Sequence, residues 1–61
     1  MFYIENHSSL FLIRPLTEDV EGWLHANVDS EAQWFGGALV VEPRYIEALV
    51  EGLTAEGFVA S

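Results

Sequence analysis

The sequence predicts a small α+β domain, a single unit over residues 1–61. Its expected order is β-β-α-β-α-β, a small, mostly antiparallel sheet with two helices packed on one face. Three observations carry that expectation. Two short runs rich in aromatic and β-branched residues flank a polar tetrapeptide near the N-terminus. A capped segment with apolar residues at helical spacing follows. A second helical period begins directly behind a proline in the second half of the chain.

Met1–Glu5 reads as the first strand and Leu10–Arg14 as the second, hairpinned to it. Between them, Asn6-His7-Ser8-Ser9 is turn chemistry, because Asn and Ser side chains bond their own backbone. Pro15 stops the second strand, since proline cannot donate to a ladder. Thr17 is a good helix N-cap, and Glu18, Asp19 and Glu21 complement the positive end of the helix dipole. Val20, Trp23, Leu24 and Val28 then recur at helical spacing, so the first helix spans about Glu18–Asn27. Gln33–Glu42 reads as a third strand interrupted by Gly36–Gly37. Pro43 suits the first turn of the second helix, where its missing N–H costs nothing. Ile46, Leu49, Val50 and Leu53 form that helix's apolar face, and Gly57 fits the left-handed position that ends it. Phe58-Val59-Ala60 is expected to return as a short fourth strand.

Composition narrows the function classes. A chain of 61 residues buries only about 60% of the surface its unfolded form exposes, so good packing or a partner must stabilise it. It has no cysteine, which removes disulfides and the common zinc sites. No apolar stretch approaches the roughly 20 residues that span a bilayer, and no signal-peptide pattern opens the chain, so a cytoplasmic protein is expected. The Asn6-His7-Ser8 sequon carries no weight in that setting. Ten acidic residues face Arg14 and Arg44, with no lysine, for a formal charge of −8. Such a surface repels nucleic acid and anionic membranes and attracts basic surfaces.

Catalytic signatures are sparse. A phosphate loop needs glycine amides opening directly into a helix, usually with a lysine nearby. Here an apolar strand separates Gly37 from Pro43, so the glycines read as architecture: a bulge or close backbone approach flanked by Trp34 and Phe35 on opposite sheet faces. His7 beside Ser8 and Ser9 lacks an orienting acid. His25 with Glu21 and Asp29 at i−4 and i+4 reads as polar helix surface. No cofactor or metal is expected, and the chain reads as a non-enzyme.

Two surface features remain. The apolar runs around Phe11, Trp34 and Phe35 do not alternate as half-buried strands should, so with both helices on one face these side chains would show to water and form an apolar interface, a homodimer among the options. The acids form stripes: Glu18, Glu21, His25 and, if the helix runs on, Asp29 along one line of the first helix, about 16 Å long, and Glu47 with Glu51 on the second. These are expected to merge into one acidic surface, with Asp19, Asp29 and Glu31 at its rim. Its plain reading is a solvated face, as in salt-adapted proteins. Its functional reading is a nucleic-acid mimic that occupies the basic groove of a nucleic-acid-binding protein or complex, without binding nucleic acid or membrane itself.

The stretch "QWFGGALVVEPRYIEALVEGLTAEGF", with "SLFLIRPLT" upstream, resembles short uncharacterised proteins of bacteriophages and mobile elements. That resemblance brings no catalytic residues. It implies a setting in which small acidic proteins, similar in kind to anti-CRISPR and anti-restriction inhibitors, block a host defence complex. The alternatives are a structural or accessory subunit acting through the apolar sheet face, and an acidic antitoxin.

Overall fold

The structure is a computed structural model that describes residues 1–61. Its elements are β1 (Phe2–Asn6), β2 (Phe11–Pro15), α1 (Glu18–Asn27), β3 (Trp34–Phe35), β4 (Ala38–Val41) and α2 (Pro43–Ala55). The strands form one antiparallel sheet in the order β1-β2-β4-β3. The α+β class with a small antiparallel sheet therefore holds, but the element order is β-β-α-β-β-α.

The difference arises at Gly36–Gly37. Gln33–Glu42 is a hairpin, with Phe35 paired to Ala38 across a two-residue turn. Both glycines have positive φ, 55° and 84°, the combination a type I′ turn requires. The glycines are structural, as expected, but they reverse the chain instead of bulging it. At Phe58–Ala60 the chain does not form a full strand. The tail makes one parallel bridge, Ala60 to Phe2, in which Phe2 N–H donates to Val59 O and Ser61 N–H to Phe2 O.

The β1–β2 turn and both helices follow their local chemistry. Asn6 Oδ1 accepts from Ser8 N–H at 2.9 Å and His7 N–H donates to Leu10 O at 2.8 Å, with Ser8 at φ 69°. Thr17 Oγ1 accepts from Val20 N–H at 3.4 Å as the α1 cap. Helix α2 opens on Pro43 and closes in a Schellman motif: Phe58 N–H reaches Leu53 O, Gly57 N–H reaches Thr54 O, and Gly57 takes φ 90°.

Strand register decides which side is the core. Cross-strand partners share a face, so Phe2, Ile4, Phe11, Ile13, Trp34, Leu39 and Val41 point one way. Those residues cluster with Val20 and Leu24 of α1 and Ile46, Leu49 and Leu53 of α2, which places both helices on that face. The helices run antiparallel, because each returns along one of two antiparallel strands. They meet where Trp23 approaches Gly52: a Cβ at Gly52 would lie 2.9 Å from the Trp23 ring. Glycine here permits the close approach. No helix is long and apolar enough to cross a membrane.

Candidate functional site: two acidic rows, a groove and an open sheet face

Register also fixes the uncovered face, which carries Tyr3, Glu5, Leu12, Arg14, Phe35, Ala38 and Val40. Arg14 lies over it, donating to Glu5 Oε2 at 3.3 Å and to Gly36 O at 2.8 Å. His7 Nε2 donates to Glu5 Oε1 at 3.0 Å. The His7 hydrogen bond is the largest influence on the Glu5 carboxyl and lowers its pKa; desolvation opposes this, and Arg14 adds to the lowering. On this face Leu12 is buried, while Phe35 stays 69% exposed and Tyr3 46%. A shallow groove of about 580 Å³ runs between Leu10, Leu12, Phe35 and Val40.

The expected apolar interface is thus divided. Phe35 faces solvent on the open side. Phe11 and Trp34 belong to the helix side, half-buried against the core. Trp34 is also stacked with His25 of α1, ring centroids 4.1 Å apart and planes 11° from parallel. Trp34 and Phe35 point to opposite faces, as adjacent strand residues must, and pairing through β4 puts Phe11 on the Trp34 side.

All seven acids singled out from the sequence, Glu18, Asp19, Glu21, Asp29, Glu31, Glu47 and Glu51, are exposed. Arg14 pairs with Glu5, and Arg44 Nη2 lies 3.4 Å from Glu42 Oε1. Both arginines are therefore engaged elsewhere, and the seven, with Glu56, have no arginine partner. The signal for this was present in the sequence: a chain with two cations cannot neutralise ten carboxylates.

The acidic stripes do not merge. Successive helical residues turn by about 100°. Trp23 faces the seam with α2, so Glu21 points about 160° away from it, toward the flank where His25 meets Trp34. Glu18 lies on that same line, while Asp19 sits one turn before Trp23. On α2, Glu51 and Glu47 are turned about 100° and 140° from Gly52, away from α1. The rows bracket the helix pair, with the uncharged contact of Trp23 and Gly52 between them. Carboxylates in the seam would have to lose water without a cation to compensate.

Asp29 and Glu31 lie in the α1–β3 loop, where Asp29 Oδ1 accepts from Glu31 N–H at 3.0 Å. They border a groove of about 600 Å³ between that loop and the N-terminal half of α2. This groove gave no sequence signal, because its walls are apolar residues that periodicity assigns to the core. No group of three or more His, Asp or Glu side chains is gathered at metal-binding distance.

No known protein family matches the chain, and no characterised protein or solved structure is significantly similar to it.

Proposed function

We propose that this is a non-enzymatic acidic binding protein of the phage inhibitor type, which occupies the basic nucleic-acid-binding surface of a host defence complex in the cytoplasm. The observation that carries the reading is the set of exposed carboxylates without an arginine partner, in a chain with no lysine. Their arrangement supports it further. Two rows of negative charge flank the contact of Trp23 and Gly52, as two phosphate strands flank a groove of bases. Within the α2 row, Glu47 and Glu51 are about 6 Å apart along the axis, the same order as the 3.4 Å rise per phosphate of one DNA strand. The likeness in size and charge to small anti-CRISPR and anti-restriction inhibitors points the same way.

The test is capture from host lysate at about 0.1 M and 0.5 M salt, since screening separates charge-driven from apolar contacts. A nucleic-acid-binding protein retained only at low salt, displaced by added DNA, and lost with Glu47→Lys plus Glu51→Lys is the expected result. Unchanged capture by that double variant overturns it. A second reading has its own observation, the exposed Phe35 and Tyr3 on the open sheet face: a homodimer or accessory subunit joined there. It expects a salt-resistant dimer in sedimentation that Phe35→Asp dissociates; a wild-type monomer at high concentration eliminates it.

A further inference from the structure

The helix pair is closed at one end and open at the other. Trp23 meets Gly52 closely, but toward the C-terminus of α1 the seam widens into the groove of about 600 Å³. Leu39 and Val41 form its floor, Val28 and Ala32 one wall, Tyr45 and Leu49 the other. The widening has a local cause: α1 ends at Asn27 and the chain turns away into the Asp29–Gln33 loop, so no further helical turn of α1 packs against Tyr45 and Ala48. Tyr45 is 51% exposed there.

The rim of this apolar slot is acidic. Asp29 and Glu31 stand on the loop side without an arginine partner, and Glu42 stands on the other side, shared with Arg44. Arg44 itself is drawn back over the Tyr45 ring, 4.8 Å from its centroid. An apolar floor with carboxylates on two of its sides selects for one chemistry. The occupant must place an aliphatic side chain against Leu39, Val41 and Leu49 and carry lysine or arginine at the neighbouring positions. A neutral apolar segment would leave the rim charges facing low-dielectric surface, and an acidic one would be repelled.

We propose that this groove is the anchoring site for a basic amphipathic segment of the partner protein, with one or two aliphatic side chains seated in it and cationic residues meeting Asp29, Glu31 and Glu42. It rests on the reading above in taking the partner to be basic, and goes beyond it in assigning the contact an apolar anchor. The carboxylate rows steer the encounter, and the groove fixes the register.

The test is an NMR titration of the full chain with two synthetic peptides of equal positive charge, one built of leucine and lysine and one of serine and lysine. The leucine peptide is expected to bind roughly tenfold or more tightly, the scale on which interface anchors act, and to shift the amides of Val28, Ala32, Tyr45 and Leu49. Ala48→Trp, which fills the slot from an exposed helix position without changing charge, should cost that same factor. Asp29→Asn with Glu31→Gln provides a second handle in the loop and should flatten the salt dependence of binding. Equal affinity for both peptides, shifts outside the groove, or an unaffected Ala48→Trp variant would each overturn the anchor while leaving the acidic-surface reading standing. Conversely, loss of that reading through Glu47→Lys and Glu51→Lys leaves the leucine-peptide site in place, because neither residue lines the groove.

Discussion

The two faces of the sheet solve the same problem by different means. On the helix side, Ile13 and Leu39 are sealed by Val20, Leu24 and Leu53, and no polar group intrudes. On the open side, no element covers Leu12, yet it is 7% exposed, close to the 2% of Leu39 on the other face. There the long side chains are tied by polar contacts instead: Arg14 reaches from Glu5 to the Gly36 carbonyl, and His7 also meets Glu5. A helix excludes water by packing that is fixed in many places at once. An arginine with two acceptors ties a face through few contacts, each partly solvated, so the open face is held but not locked.

Truncation should separate the faces most strongly. Ile13→Ala is expected to cost about 2–5 kcal/mol as a fixed cavity, comparable to the roughly 3–9 kcal/mol available to a chain of this length. Leu12→Ala should cost about 1–2 kcal/mol, because the exposed Phe35 side chain in the same groove can settle into the space. Denaturant midpoints of the two variants measure the difference; equal losses would mean the open face is as rigid as the core. The turn that supplies Arg14's acceptor is the next lever. Gly37→Ala forces a side chain into the left-handed region at φ 84° and should lose about 1–2 kcal/mol.

Arg14→Met keeps an aliphatic side chain and removes both polar contacts. It should cost about 1 kcal/mol or less, since the pair is partly exposed, and should raise binding of an apolar dye at the open face. The smallest effect is the titration of Glu5. Its pKa is lowered on folding, so its contribution is present above the ordinary carboxylate value of 4.5 and is lost as pH falls through the lower folded value. The stability difference between wild type and Glu5→Gln should therefore shrink on acidification below 4.5. That difference cancels the general relief of charge repulsion as the other acids protonate. A difference independent of pH would show that Glu5 has no special role on the face.

The helices were legible because their signals are local. Thr17 before three acids, Pro43 before an apolar period and Gly57 behind it each act within one or two turns. The hairpin was not read, although Gly36-Gly37 can form its turn, because an apolar run from Trp34 to Val41 also fits one buried strand. Only pairing distinguishes the two, and pairing is a contact between segments. The same limit applies to the site. Exposure of the seven acids followed from their charge, but the separation of the helical ones into two rows followed from which helix edge Trp23 and Gly52 occupy.

By itself, then, the sequence determined the two helices, the first hairpin, the structural role of the glycines and a surface with more carboxylates than it can neutralise. These rest on short-range capping, φ preferences and charge count, which need no knowledge of neighbours. Tertiary structure alone decided the hairpin of β3 and β4, the tail's bridge to Phe2, the burial of Leu12 on the open face and the groove beside Tyr45. Each depends on which surfaces come together, and a one-residue change of strand register or about 100° of helix rotation would have redistributed them.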